Sequence, residues 1–125
     1  MHPIERLRYV ARASDGDPAL VVRETAGALA GLGLDPAGLV TACRRIVERH
    51  PSSGPLWWLC ARTLTAADPL NEAWRCVELV EDDPTPEELA AALPEDATVC
   101  VIGWPAHVAQ ALVRRGDVTV LAVDP

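Results

Sequence analysis

The sequence predicts a chain of the α/β class, in which an N-terminal helical part is followed by a short parallel βαβ unit. Apolar residues recur at helical spacing through most of the chain, and Asp-Pro pairs, which favour helix starts, separate these stretches. Two short apolar runs, residues 98–102 and 118–123, come near the end with a helical pattern between them. Near-continuous apolar strands joined by a helix are typical of parallel pairing.

Composition and charge exclude several classes of function. The 125 residues are enough to bury a core without a metal or a disulfide. With 11 basic residues against 18 acidic ones, the net charge of −7 repels phosphate backbones, so we expect no nucleic-acid partner. The sequence has no apolar run of about 18 uncharged residues, and its N-terminus lacks the apolar core of a signal peptide. We therefore expect a cytoplasmic protein that does not contact a membrane.

The cysteines are widely spaced, and each falls inside an apolar segment. The four are Cys43, Cys60, Cys76 and Cys100. We expect all of them to be buried free thiols. A disulfide framework is not expected in a cytoplasmic chain of this kind. The histidines supply no close ligand pairs, so we expect no metal site.

Five helices are predicted in the N-terminal part. The first covers residues 3–13. The second follows Asp17 and is closed by Gly31 and Gly33, and the third covers Pro36–Arg49. The fourth is capped by Ser52 or Ser53, and the fifth covers residues 69–80. Apolar residues spaced three and four apart give each helix one inward face. We expect Val40 and Leu64 to lie on the inward faces of the third and fourth helices.

An acidic run, Glu81-Asp82-Asp83, is expected to be a solvated linker. It places the boundary between a helical domain, residues 1–82, and the start of an α/β domain, residues 83–125. Immediately after it, Thr85 and Glu88 have the spacing of a capping box, in which the Thr85 side chain caps a short helix. This helix is expected to end before Pro94.

The α/β domain is expected to be the beginning of a Rossmann-like parallel sheet. Its strands have the pattern of buried strands, and the helix between them, residues 105–115, is expected to turn Leu112 and Val113 inward. Two strands are too few for a stable sheet. The sequence also stops at the C-terminal end of the second strand, where α/β proteins place their sites. We therefore expect the front part of a longer protein, or else a sheet completed by self-association in a homo-oligomer, and favour the first.

The turn after the first strand, Gly103-Trp104-Pro105, has little of a dinucleotide-binding fingerprint. That fingerprint needs several glycines, so that the backbone can approach a pyrophosphate, whereas an indole and a proline occupy these places here. Asp124 stands about 20 residues further on, like a ribose-binding acid. We expect no cofactor, and interpret Gly103 as permitting a tight turn. The alternative is the N-terminal part of an enzyme that uses NAD or S-adenosylmethionine.

A third class of function, a helical protein–protein interaction module, is indicated by the aromatic residues. Trp57 and Trp58 are adjacent, so on a helix they point about 100° apart and cannot both lie at the centre of the core. One of them is expected at an interface or at the rim of the core. The pairs Arg44-Arg45 and Arg114-Arg115 are interpreted as solvated faces.

Two stretches of the sequence resemble one protein family. RHPSSGPLWWL, residues 49–59, is similar to the R-P-T-x-x-x-L signature at the start of a helix in the regulatory subunits of translation initiation factor two-B and in their relatives, the methylthioribose-1-phosphate and ribose-1,5-bisphosphate isomerases. VCVIGWPAHVAQALVRRGDVTVLAVDP, residues 99–125, resembles the later strand–turn–helix–strand of the same family. The resemblance implies a helical domain, a linker and a Rossmann-like domain, in that order.

In the first of these motifs, Pro51 and Leu56 match the signature. His50 stands where the signature has its arginine, with Arg49 adjacent, and Ser52 stands where it has threonine. The resemblance implies that His50 and Ser52 are close to a phosphorylated ligand or to a partner subunit.

In the second motif, Gly103 stands at the position of the isomerases' catalytic cysteine, and Cys100 lies three residues earlier, inside the strand. The isomerases' catalytic aspartate belongs to a later segment. The resemblance therefore implies a protein closer to the non-catalytic members, whose role is assembly and regulatory ligand sensing. Such a protein would bind a phosphorylated sugar or nucleotide, or a partner subunit, at the C-terminal edge of the strands, near Gly103, Trp104 and Asp124.

Overall fold

The structure, a computed structural model, describes residues 17–33 and 35–125 and divides into two compact units between Asp82 and Asp83. The elements are α1 (Pro18–Leu32), α2 (Pro36–Arg49), α3 (Gly54–Thr65), α4 (Pro69–Glu81), α5 (Thr85–Ala92), β1 (Thr98–Ile102), α6 (Ala106–Leu112) and β2 (Thr119–Val123). The helix predicted over residues 3–13 lies outside the described residues. None of the helices described is long and apolar enough to cross a bilayer.

The first unit is a helical unit whose helices begin as the Asp-Pro pairs predict. The carboxylates of Asp17, Asp35 and Asp68 accept hydrogen bonds from backbone N–H groups in the first turns of α1, α2 and α4, at 3.0, 2.7 and 3.2 Å. Ser53, the second of the two candidate serines, caps α3 by accepting from the Leu56 N–H. These short polar side chains satisfy donors that have no partner inside the helix.

The core of the helical unit forms where α1 packs against α3 and α4, and α3 against α2 and α4. The buried cluster consists of Val22, Ala26, Leu29, Leu39, Cys43, Ile46, Leu56, Leu59, Cys60, Ala73, Cys76 and Val77. The expectation that Val40 and Leu64 face inward is wrong, because both side chains are exposed. Each follows a buried residue by one position, and one position turns a helical side chain by about 100°.

The second unit is an α/β unit, in which β1 and β2 pair in parallel with Val101 opposite Ala122, and α5 packs against α6. The parallel pairing is confirmed. The helix α6 is shorter than predicted, and Val113 is 79% exposed, so its predicted inward position is wrong. The chain tightens after Leu112, since the N–H groups of Arg114 and Arg115 bond to carbonyls three residues back, and Val113 leaves the buried face.

The predicted capping box at α5 is wrong. The Thr85 hydroxyl donates to the Asp83 carboxylate at 2.6 Å, and the Thr85 N–H donates to the same oxygen at 3.0 Å. The N–H of Glu88 bonds to the Pro84 carbonyl at 2.9 Å. A carboxylate is a strong acceptor, so the Thr85 hydroxyl donates its hydrogen bond to Asp83, and Thr85 is the first helical residue instead of the cap.

The strands are less buried than their composition predicts. One face of the sheet is exposed to solvent over its whole length, and we name it the open sheet face. Its residues are Thr98, Cys100, Ile102, Thr119, Leu121 and Val123. Cys100 is therefore exposed, contrary to expectation, whereas Val101 on the opposite face is buried. A single crossover helix lies on one face of a sheet, so two strands and one crossover leave the second face without a layer of its own.

Candidate functional site

The carboxyl ends of the two strands form the candidate site in the α/β unit. Because β1 and β2 are parallel and Ile102 pairs with Val123, the residues that follow them emerge at the same edge. The Gly103 N–H donates to the Val123 carbonyl at 2.8 Å, and a Cβ built on Gly103 would lie 4.0 Å from Pro125. The structure thus brings Gly103, Trp104 and Asp124 to one edge of the sheet.

Gly103 has φ +71°, a conformation that side chains rarely adopt, so the turn from β1 into α6 requires glycine. Its N–H is already used by the Val123 carbonyl, and Pro105, which caps α6, has no N–H at all. Two of the backbone donors that a dinucleotide-binding turn would offer to a pyrophosphate are therefore missing. The geometry favours the interpretation of Gly103 as a turn residue.

The two remaining residues of this edge are open to solvent. Trp104 is 55% exposed, and Asp124, at the end of β2, is also exposed. An exposed indole offers a face for stacking, and a carboxylate accepts hydrogen bonds from sugar hydroxyls. The edge therefore has groups suited to a ring and to hydroxyls, whereas its two turn residues Gly103 and Pro105 offer no free N–H to an anion.

His50 and Ser52 belong to the helical unit, in the connection between α2 and α3. His50 is only 7% exposed and ends α2: its N–H donates to the Ile46 carbonyl and its own carbonyl accepts from the Ser53 N–H, both at 3.0 Å. Ser52 is exposed. The buried His50 and the exposed Ser52 therefore do not present a common binding surface. The two backbone hydrogen bonds of His50 stabilise the turn between α2 and α3.

The tryptophan pair at the start of α3 divides between core and surface, as its spacing predicts. Trp58 packs against the core cluster, with the Arg62 guanidinium 5.9 Å from its ring centroid. Arg62 is also paired with the carboxylate of Glu72. Trp57 is exposed, and its indole N–H donates to the Pro51 carbonyl at 3.0 Å. This hydrogen bond of the exposed Trp57 side chain stabilises the α2–α3 connection.

Arg115 is a structural residue that sequence reasoning missed. It was interpreted as part of a solvated face, and that interpretation is wrong: its guanidinium donates to the carbonyls of Ala90, Leu93 and Pro94 at 2.6 to 2.9 Å. It also forms a two-point contact with the Asp117 carboxylate, at 2.9 and 3.0 Å. A planar guanidinium can make all these bonds at once, and they tie the end of α5 to the turn before β2.

Asp117 completes this arrangement by accepting the Asp96 N–H at 2.8 Å. The Arg115 guanidinium, followed by the Asp96 N–H, holds the pKa of the Asp117 carboxyl well below its usual range. Asp96 has φ +53°, so this contact also fixes a residue in the left-handed region. The signal available in the sequence was the Arg-Gly-Asp spacing, in which a short turn brings opposite charges together. Arg44 and Arg45, by contrast, are exposed as predicted.

A concave feature that the sequence did not indicate lies wholly in the helical unit. It is an apolar groove of about 490 Å³ between the end of α1, the start of α2, the end of α3 and the start of α4. Exposed Val40, Leu64 and Leu70 are among its lining residues, and neither His50 nor Ser52 is. Within residues 17–33 and 35–125, no group of three or more His, Cys, Asp or Glu side chains could hold a metal ion.

No protein-family model, no curated protein and no solved structure matches this chain.

Proposed function

We propose that this chain is a non-catalytic protein similar to the regulatory subunits of translation initiation factor two-B, and that it assembles with a second copy of itself through the open sheet face. The observation that carries the assembly is the exposure of that face, where Ile102 is 72% and Leu121 57% exposed. The likeness itself rests on the two sequence motifs. The proposal includes a Rossmann-like origin for the α/β unit and a cytoplasmic location.

Three physical arguments support self-association through this face. A sheet of two strands is marginal by itself, and among residues 17–33 and 35–125 no further strand pairs with the outer edge of β1 or β2. Burial of apolar surface contributes a favourable free energy of about 25 cal/mol per Å². The exposed side chains of Ile102, Leu121 and Val123 therefore favour association that covers them. A further layer against this face would give the sheet the two-sided cover that parallel strands normally have.

A second copy is favoured as the occupant because of the charges of the chain. The net charge of −7 means that two copies repel each other, yet none of the six residues of the open sheet face is charged. A twofold axis brings the same patch of both copies together, so an uncharged apolar patch is self-complementary and places no like charges opposite each other. For an acidic chain, such a patch is the surface through which self-association costs the least electrostatic repulsion.

The test compares Ile102→Asp, on the open sheet face, with Val113→Asp, an equally exposed apolar position off it. We expect the wild type to dimerise at micromolar concentration in sedimentation velocity. Ile102→Asp should weaken the association at least about tenfold, or about 1.4 kcal/mol, whereas Val113→Asp should leave it unchanged. A wild type that stays monomeric at high micromolar concentration, or equal effects of the two variants, would contradict the proposal. Tryptophan fluorescence melts verify that each variant is folded.

The absence of isomerase activity belongs to the same proposal. Gly103 occupies the position that matches the isomerases' catalytic cysteine. With its φ of +71°, a cysteine at this position would strain the backbone. Cys100 lies on the open sheet face, three residues before the turn. We expect no turnover of a ribose phosphate by the wild type, and none after Gly103→Cys, which would strain the turn.

A second candidate function, binding of a phosphorylated sugar or nucleotide, is favoured by the exposure of Trp104 and Asp124, which both follow strand ends at the carboxyl edge of the sheet. A ribose phosphate at about a hundred times its dissociation constant should add about 2.7 kcal/mol to the free energy of unfolding. Asp124→Asn should reduce this stabilisation, and the matched change Asp82→Asn, outside the edge, should not. If ribose phosphates and nucleoside monophosphates leave the melting temperature of the wild type unchanged, this candidate is ruled out.

A further inference from the structure

Two thiols of the helical unit lie in contact across neighbouring helices. Cys43 belongs to α2 and Cys60 to α3, and they are 2% and 4% exposed. The Cys60 thiol lies 4.0 Å from the Cys43 carbonyl oxygen, and the two thiols are close enough that each shifts the pKa of the other. Both are free thiols in this structure. The contact therefore joins two cysteines that are 17 residues apart in the chain.

The other two cysteines provide internal standards for this pair. Cys76 is fully buried in the same core cluster. Its pKa is raised chiefly by burial, and the other groups that shift it are Glu72, Arg62 and Arg75, none of which contains sulfur. Cys100 is exposed on β1, in the α/β unit. Thus the described part of the chain contains one pair of neighbouring cysteines, one buried thiol whose pKa no other thiol shifts, and one thiol open to solvent.

We propose that Cys43 and Cys60 are a redox-active pair that closes to an intramolecular disulfide, cross-linking α2 to α3, when a hydroperoxide or a small-molecule disulfide oxidises the chain. Side chains already in contact on packed helices need little backbone movement to form the bond. A disulfide was not expected from the sequence because the cysteines are far apart in it and no spacing motif joins them.

With a hydroperoxide, the reaction takes two steps. A cysteine thiolate attacks the terminal peroxide oxygen, the O–O bond breaks, and the alcohol or water leaves with the proton, which gives a sulfenic acid. The second sulfur then attacks the sulfenic sulfur, the S–O bond breaks, and water leaves with the second thiol proton. In sum, two thiols and one hydroperoxide give one disulfide, one alcohol or water, and one water. With a small-molecule disulfide, one thiolate of the pair attacks a sulfur of that disulfide, its S–S bond breaks, and one small thiol leaves; the second thiolate of the pair then attacks the mixed disulfide and releases the other small thiol.

The two sulfurs have different roles in this sequence. The contact between the two thiols makes the ionisation of one disfavour that of the other, and this contact and burial raise the pKa of the Cys60 thiol. The thiol that ionises attacks the oxidant, and its neighbour resolves the sulfenic acid. Because both are buried, the oxidant reaches the pair through a transient local opening of α2 from α3, and oxidation of the native chain is slow.

The test uses the full chain with Cys100→Ser, which removes the exposed thiol that would otherwise link two copies. After incubation with hydrogen peroxide or glutathione disulfide, free thiols are alkylated and the protein is analysed by mass spectrometry. We expect loss of two thiols per chain, a mass lower by two hydrogens when it is measured before alkylation, and one cross-linked peptide pair containing residues 43 and 60. Dithiothreitol should reverse all three changes, and the oxidised form should melt several degrees higher because the bond restrains the unfolded chain.

The control variants are made in the same background. Cys76→Ala removes an equally buried thiol and should still form the cross-link, whereas Cys43→Ala and Cys60→Ala should not. Retention of both thiols after prolonged oxidation of the folded chain would overturn the proposal. So would a stable glutathione adduct on Cys43 or Cys60, or a cross-link to residue 76. If an alanine variant does not fold, the thiol count and the cross-linked peptide of the Cys100→Ser chain still decide.

Discussion

Buried polar side chains in this protein differ in whether they find a partner. Thr63, in the core, donates its hydroxyl to the Leu59 carbonyl at 2.7 Å. Thr25, which is fully buried on α1, has no partner for its hydroxyl oxygen. A buried hydroxyl without a hydrogen bond carries its full cost of desolvation. The two threonines, chemically alike, are therefore expected to contribute to stability with opposite sign.

Replacement of Thr25 by valine, which has the same shape, should raise the free energy of unfolding by about 1 kcal/mol, because it removes an unsatisfied polar group. Thr63→Val should lower it by a similar amount, since it removes a hydrogen bond. Urea unfolding of the two variants and the wild type measures both changes. A loss of stability in Thr25→Val equal to that in Thr63→Val would mean that the Thr25 hydroxyl has a partner in solution.

The Arg115–Asp117 pair predicts how the stability of the α/β unit depends on pH. The pKa of Asp117 is lowered from its ordinary value of 3.8 in the folded state. The carboxylate therefore contributes stability that is fully present above about pH 4 and is lost as the pH falls from there toward the lowered pKa. Arg115 stays charged throughout, so the change comes from Asp117 alone.

The expected result is that Asp117→Asn is less stable than the wild type at about pH 7 and that this difference shrinks at about pH 3. Trp104, the one tryptophan of the α/β unit, provides the fluorescence signal for its melting. Glu88→Gln, an exposed carboxylate on α5, is the matched control and should change little at either pH. A difference between wild type and Asp117→Asn that grows on acidification would contradict this prediction.

At the scale of elements, helix starts and helix faces are specified differently. Asp or Ser before each helix of the helical unit accepts first-turn N–H groups, and this is a local matter that three or four residues settle. Which side chains lie inward depends on where neighbouring helices pack. Leu56 and Leu64 are both leucines of α3 in the predicted apolar pattern, but Leu56 is fully buried and Leu64 is exposed beside the groove.

Leu56→Ala should destabilise the helical unit by about 2 to 5 kcal/mol, because it leaves a cavity in the core as well as losing apolar contact. Leu64→Ala should cost less than about 1 kcal/mol, since most surface substitutions have small effects. Chemical unfolding followed by circular dichroism compares the two. Equal losses would show that Leu64 is covered in solution, for example by an occupant of the groove.

At the scale of the whole molecule, the acidic charge and the open sheet face act against each other. The chain carries a net charge of −7, which opposes self-association, while its uncharged sheet face favours it. Salt screens the first effect and leaves the second in place. The balance between them is therefore under experimental control.

The proposed dimer should become tighter as the ionic strength is raised from about 0.01 to about 0.15 M, where the screening length falls from about 30 to about 8 Å. Sedimentation equilibrium at the two salt concentrations gives the dissociation constants. The same shift should be absent from Ile102→Asp if that variant no longer dimerises. Weaker association at higher salt would instead indicate an interface built on ion pairs.

Local chemistry in the sequence determined much of this protein by itself. The Asp-Pro pairs and helical spacing predicted α2 at its observed bounds, and the β-branched run predicted β1 and its parallel partner, because these signals lie within a few residues of one another. Gly103 was interpreted correctly as a turn residue for the same reason. Of the candidate site, the sequence predicted that Gly103 and Asp124 share an edge, since parallel strands end together.

Other features were decided by tertiary structure, because they depend on residues far apart in the chain. The carbonyls of Ala90 and Leu93 accept hydrogen bonds from Arg115, and the packing of α2 on α3 brings Cys43 to Cys60. The exposure of Cys100 depends on which layers cover the sheet. Apolar composition determines what favours burial, whereas the number and placement of neighbouring elements decide what is buried.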